Sequence, residues 1–243
     1  MKLFEAPIKS LAKTMLVVGC VSAMGVAPLF AQVYTGTLAD LANGGTLTIG
    51  DKTFSNFSWQ NSDGLLNSQA ANLIVTASIG SDGVYYLDFG GGLIVNNLQG
   101  TSDLVGDLKL NYTITANPGL INMIDQQYTP APNATPASGQ IIIGETVKNN
   151  LGIIVANSTL TLSPSDLIDP QPEAGDNLNI NPGANRLSVV KDILIDAYAG
   201  NSVGLNDVQQ SFHQVPEPGT MLLGGLGGGL LWFLRSRRQA KRN

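Results

Sequence analysis

Residues 104–115 alternate almost without a break: Leu108, Leu110, Tyr112 and Ile114 fall on one parity, Lys109, Asn111 and Thr113 on the other. Side chains of a strand point to opposite faces in turn, so this period of two predicts an antiparallel strand with one face buried and one wet. A second stripe, Leu187, Val189, Ile193, Ile195 and Ala197, repeats the pattern, with Lys191 as its exception. No stretch of 32–214 has helical periodicity over a comparable length. The chain instead offers short runs rich in Val, Ile, Thr, Tyr and Phe at 33–38, 46–49, 52–59, 72–79, 84–89, 140–147, 153–162, 186–198 and 203–212. Asn43-Gly44, Asp63-Gly64, Asp82-Gly83 and Asn185-Arg186 supply turns between them. The fold class expected is all-β: a single antiparallel β-sandwich of about ten short strands. The proline-bearing stretches 126–138 and 163–183 read as surface loops.

Charge divides the chain into three. Lys2, Lys9 and Lys13 crowd the start, and Arg235, Arg237, Arg238, Lys241 and Arg242 crowd the end. Residues 32–214 hold five bases against 16 acids, a net charge of −11. Such a body repels phosphate backbones, which excludes nucleic acid as a partner. With one Cys and one His in 243 residues, a disulfide framework, a Cys/His zinc site and Cys–His catalysis lack their raw material.

Residues 1–31 have the anatomy of an export signal: lysines, the apolar run 14–30, then Ala31 before polar Gln32. Signal peptidase would cut after Ala31, or after Ala27, since Leu29 is large for its place before the first cut. Val17-Val18-Gly19-Cys20 loosely resembles a lipobox, which would lipidate Cys20. Against that, the apolar run continues well past the cysteine.

Residues 215–243 read Val215, Pro216, Glu217, Pro218, then the apolar segment 219–234 with 16 uncharged residues, then the basic cluster Arg235, Arg237 and Arg238. As a helix the apolar part would span about 24 Å, short of a ~30 Å hydrocarbon core. Five glycines (224, 225, 227, 228 and 229) weaken it further. The basic tail would stay cytoplasmic and the acidic body outside. The three parts, in this order, resemble the PEP-CTERM sorting signal of Gram-negative bacteria, including cyanobacteria. The resemblance implies recognition by an exosortase, cleavage near Pro216-Glu217-Pro218, transient anchoring in the inner membrane by a short transmembrane helix, and delivery to the cell surface or beyond. An ordinary membrane anchor is the alternative, but it has no use for two prolines that hold 215–218 extended and open to a protease. The stretches 47–57 and 187–212 are also similar to stretches of exported PEP-CTERM proteins. The expected organisation is therefore a signal peptide at 1–31, an exported sandwich at 32–214 and a sorting segment at 215–243.

Within the body no catalytic constellation emerges, and the expectation is a non-enzyme with a structural or adhesive role in extracellular polysaccharide. His213, the lone histidine, is expected as a half-exposed residue at a strand end. The acids Asp166, Asp169, Glu173 and Asp176 cluster in a proline-rich loop where Ca²⁺ would find hard oxygen ligands, although their spacing is not that of an EF-hand. Asp82 with Asp88, or Asp192 with Asp196, are the carboxylate pairs a glycosidase would need. Trp59, Phe57, Tyr85 and Tyr86 would stack on sugars if exposed, which supports the alternative of a carbohydrate-binding module, with or without calcium.

Overall fold

A computed structural model describes residues 33–131, 139–162 and 176–215. The expected signal segment, the sorting segment beyond Val215 and most of the loop 163–183 lie outside these residues. Twelve strands form two six-stranded sheets, antiparallel throughout. The first half of the chain supplies β1 (Val33–Thr37), β2 (Leu47–Ile49), β3 (Lys52–Asn61), β4 (Ile74–Ile79), β5 (Tyr85–Asn96) and β6 (Leu104–Ala116). The second half supplies β7 (Leu120–Pro130), β8 (Gly139–Asn149), β9 (Ile154–Leu162), β10 (Leu178–Ala184), β11 (Arg186–Ala197) and β12 (Ser202–Val215). Sheet A runs β1-β4-β5-β12-β7-β10, and sheet B runs β2-β3-β6-β11-β8-β9. Successive strands repeatedly cross from one sheet to the other, so β5 packs near β6, β11 near β12 and β9 near β10. This is the two-layer solution that lets each sheet bury one face against the other.

Two short helices join the strands without any signature in the sequence pattern. One, α1 (Leu38–Ala42), is capped by Thr37, whose hydroxyl oxygen accepts from the Asp40 amide at 3.1 Å. The other is α2 (Asn67–Asn72). Among the described residues no helix is long and apolar enough to cross a membrane. The turn glycines behave as the sequence requires: Gly44, Gly64 and Gly83 have φ of +96°, +78° and +80°.

The alternating stripes face inward. Leu108, Leu110, Tyr112 and Ile114 are buried, as are Leu187, Val189, Ile193, Ile195 and Ala197. An aromatic cluster joins the sheets: Tyr112 of sheet B lies 5.7 Å from Phe89 and 6.4 Å from Phe212 of sheet A, and Phe54 lies 5.4 Å from Phe212. The exception in the β11 stripe is buried too. Lys191 points inward and donates to Glu145 Oε2 of β8 at 2.9 Å and to Gln126 Oε1 of β7 at 2.8 Å. Both members of the ion pair are sealed from solvent. Gln126 in turn donates from Nε2 to Ser158 Oγ and Asp176 Oδ2, each at 3.2 Å. A charged seam thus ties sheet B to sheet A through otherwise apolar core.

Removing one partner of a buried pair strands the other charge without water, a cost of about 3–5 kcal/mol. Glu145→Ala should therefore lower the free energy of unfolding in urea by about that amount. The double change Glu145→Leu with Lys191→Met should recover most of the loss, because it removes both charges together.

Candidate functional site

Strand β12 ends at the foot of the sorting segment, and its last residues are tied down. Gln214 and Val215 pair with Ile121 and Leu120 of β7. The Gln214 carboxamide accepts from Lys52 Nζ and donates to Asp51 Oδ2 at 2.7 Å and to the Pro118 carbonyl at 2.9 Å. Lys52 is fully buried, pairs with Asp51 at 2.6 Å and lies 4.1 Å over the Tyr85 ring. Two glycines make room. A Cβ at Gly50 would strike the Tyr85 hydroxyl, and one at Gly119 would overlap the Gln214 carboxamide. Burial alone would raise the Asp51 carboxyl, but hydrogen bonds from Lys52, Tyr85 and Gln214 outweigh it and hold the pKa below the usual carboxylate value. Burial pulls the Lys52 ammonium the other way, down, against the attraction of Asp51. This clasp holds the residue two positions before Pro216.

The outer face of sheet A carries Tyr86, Asp88, Asp125, Asp207, Gln209, Ser211 and His213, which the register brings side by side on β5, β7 and β12. Asp88 accepts from Gln209 Nε2 at 2.6 Å. Burial, then the neighbouring Asp88 charge, pushes the Asp207 carboxyl up to about 6. Ser211 Oγ and His213 Nε2 are 3.1 Å apart in a small pocket that Asp125 also lines. His213 therefore lies within the last strand of a sheet.

The outer face of sheet B forms a larger groove of about 470 Å³. Its floor is Gly144 and Val190, and its walls include Lys109, Asn111, Thr146, Lys148, Asn157 and Asp192. No aromatic ring lines it. Lys109 and Asp192 meet at 3.3 Å with 43% and 50% of their side chains exposed.

The remaining sequence candidates are scattered. Phe57 is buried, Trp59 packs on the core while donating to Asn67 Oδ1 at 2.9 Å, and Tyr85 belongs to the clasp. Tyr86 alone faces outward, its hydroxyl donating to Asp82 at 3.1 Å. Asp192 and Asp196 share the outer face of β11 four residues apart, about 13 Å of strand. That is beyond the ~9.5 Å limit for a glycosidase pair. Carboxylates that do interact, Asp88 with Asp207, Asp125 with Asp176 and Asp103 with Asp196, are far apart in the linear sequence and carry no signal there. Of the calcium candidates, Asp166, Asp169 and Glu173 lie outside the described residues, and Asp176 is engaged by Gln126. Among the described residues no group of three or more His, Cys, Asp or Glu side chains is placed to hold a metal ion. The predicted motif Val215, Pro216, Glu217 and Pro218 and the cluster Arg235, Arg237 and Arg238 lie past the described side chains.

Residues 214–238 match the family model of the PEP-CTERM protein-sorting motif. The tail is a PEP-CTERM sorting signal. The match begins at Gln214, the residue in the clasp. No curated protein matches the chain. Two solved structures are loosely similar to it. One is TmCBM61 in complex with β-1,4-galactotriose, at 10% identity and TM-score 0.31, over 64% of this chain and 88% of that one. The other is arabinose-bound MgGH51 α-L-arabinofuranosidase, at 14% identity and TM-score 0.24, over 74% of this chain and 25% of that one. Likeness at these scores carries no argument about ligand or activity.

If the clasp secures the end of β12, Gln214→Ala should speed amide hydrogen exchange at Phe212–Gln214 well beyond that of central β11. Acid should likewise lower the protection of these amides, taken relative to the intrinsic exchange rate at each pH. The Asp51 pKa is depressed in the fold, so its contribution is present above about pH 4 and is lost as the pH falls through the folded value. Equal exchange in variant and parent at neutral pH would show that the clasp holds nothing.

Proposed function

We propose that this chain is an exported protein processed by an exosortase at Pro216-Glu217-Pro218, and that its sandwich then serves a non-catalytic structural or adhesive role in extracellular polysaccharide. The sorting motif itself implies export and transient anchoring in the inner membrane before arrival at the cell surface. The observation that carries the reading is adjacency: Gln214, where the sorting-motif match begins, is paired in an interior strand of the sandwich and held by the clasp. A processing enzyme acting just beyond Val215 leaves every described strand of the sandwich whole. The prolines at 216 and 218 have no N–H to give to a sheet ladder, so the sequence itself disfavours strand pairing there, as a processing site requires.

A body free of cysteine once the signal is gone suits an oxidising exterior, where thiols invite exchange. Its role there is to persist and to adhere. The polar groove of sheet B favours a second reading, a carbohydrate-binding module, since hydroxyls and carboxamides on a rigid sheet are what sugar hydroxyls pair with. A calcium-dependent form of that reading would draw on the loop acids Asp166, Asp169, Glu173 and Asp176.

Replacing Pro216, Glu217 and Pro218 together by Ala, in the native host, should block processing. Full-length chain should then accumulate in the inner-membrane fraction, while the parent is found outside. Release of the triple variant in normal amount would remove this reading.

A further inference from the structure

Register places Val215, the last described residue, at one end of the sandwich. It pairs with Leu120 at the start of β7, just after the turn that follows β6. On sheet B the same end carries Lys52 and Arg186, opposite Ala116 and Thr115, and Asn149, opposite Leu187. The β8–β9 turn therefore projects from the end at which the sorting segment leaves. Val33, opposite Ser78, stands at this end as well. The four most exposed large apolar side chains among the described residues all lie here: Leu151 at 75%, Val33 and Ile153 at 57% and Ile154 at 56%. Leu120 adds a fifth at 45%. Leu151, Ile153 and Ile154 form the tip of the β8–β9 hairpin, where a turn in water ordinarily shows Gly, Asn or Asp. Charge is graded along the same axis. Of the acids among the described residues only Asp51 and Asp82 stand at this end, and Asp51 is paired with Lys52. Lys148 and Arg186 stand there too, so the end is close to neutral on a body of net charge −11.

From this we infer that the β8–β9 tip docks on the surface of a phospholipid bilayer while the sorting segment is anchored, with Leu151, Ile153 and Ile154 dipping among the acyl chains. The inference rests on the anchoring step of the export reading and gives the folded body a lipid contact of its own. The length of the tether carries it. From Val215 to Gly219, where the uncharged run begins, is four residues, at most about 14 Å of chain. Two packed sheets are themselves about 10 Å apart, so an anchored tail brings this end of the sandwich close to lipid. The tip is built for such a place. Backbone N–H groups left without partners in lipid are costly, and here Asn149 takes them up. Its Oδ1 accepts from the amides of Leu151 at 2.9 Å and Ile153 at 3.1 Å, and its carbonyl accepts from Gly152 at 2.9 Å. Its own N–H donates to the Ile153 carbonyl at 2.9 Å. What the hairpin offers outward is thus mainly hydrocarbon. Lys148, opposite Ile154, would lie among the headgroups, where a long side chain keeps its ammonium wet. A second copy of the chain is a poorer occupant, since it would bring another charge of −11 to the same place, and a zwitterionic bilayer does not. Three apolar side chains hold weakly from free solution. A short tether raises their effective concentration to the millimolar range, so the contact forms while the tail is anchored and lapses once processing cuts it. Until then it keeps Pro216-Glu217-Pro218 at the lipid surface.

The test places the full chain, with Cys20→Ser, in phosphatidylcholine nanodiscs, which leave both lipid faces open. A fluorophore is attached at the tip through Asn150→Cys, or at the opposite end of the sandwich through Gln99→Cys. Both native residues are polar and exposed, so neither label removes an apolar side chain. The expected result is that lipid carrying a nitroxide quenches the label at 150 at least twofold and leaves the label at 99 unchanged. Leu151→Asp together with Ile153→Asp should abolish the quenching at 150, while thermal unfolding matches the parent and the chain still co-elutes with the discs. Co-elution without quenching at 150 would overturn the docking and leave the anchoring standing. Quenching that survives the double change, or that is equal at 150 and 99, would overturn it too. So would a label at 150 that is shielded from a water-soluble quencher yet untouched by the lipid nitroxide, the signature of a second copy on the tip. A chain that does not co-elute with the discs would remove the anchoring, and the docking with it.

Discussion

The last strand among the described residues is an interior strand. β12 lies between β5 and β7 in sheet A, with Phe212 in the aromatic cluster that joins the two sheets and Gln214 in the clasp. An interior strand supplies hydrogen bonds to both neighbours, so sheet A is incomplete until the chain has been laid down as far as Val215. The match to the sorting signal begins at Gln214, inside this strand. A strand at the sheet edge could have peeled off with the tail. One held on both sides and pinned at its end resists that, because every lost ladder bond leaves an unpaired group on two partners.

The core is organised around the same need for permanence. Apolar stripes from both sheets form most of it, and the Lys191–Glu145–Gln126 seam crosses it where a purely apolar contact would have carried less desolvation cost. A charge pair in such a place tolerates few alternative registers, since a slip of one residue would turn Lys191 out and leave Glu145 alone. The two outer faces then diverge: desolvated carboxylates on sheet A, and on sheet B a groove where Lys109, Lys148 and Asp192 mix both signs of charge.

Much of this is legible in the chain. The strict alternation of 104–115 and 187–197, the Asn-Gly and Asp-Gly turns and the tripartite tail all state their roles locally. Two strands do not. β7 reads as partly loop because its inward positions include Gln126, which faces the core only to meet Lys191, and because a register shift near His213 and Gln214 disturbs its alternation. β10 hides behind Pro182 and its own register shift at the edge of the sheet. The helices α1 and α2, of five and six residues, are too short to show a helical period. In each case the deciding partner is far away in sequence. The same holds for the clasp, where Asp51 and Lys52 meet Gln214 across the whole body, and for the Asp88–Asp207 couple. The groove on sheet B is legible only after register places Lys109 and Lys148 on one surface.

A folded body that keeps β12 through Val215 and survives the loss of the sorting tail is the condition for the functional reading proposed for this chain. The intact mass of the protein recovered from outside its host cells addresses this directly. The prediction is a chain whose C-terminus falls between Val215 and Gly219, folded and lacking the apolar run. A mass that still includes Arg235, Arg237 and Arg238, or a terminus inside β12, would contradict it.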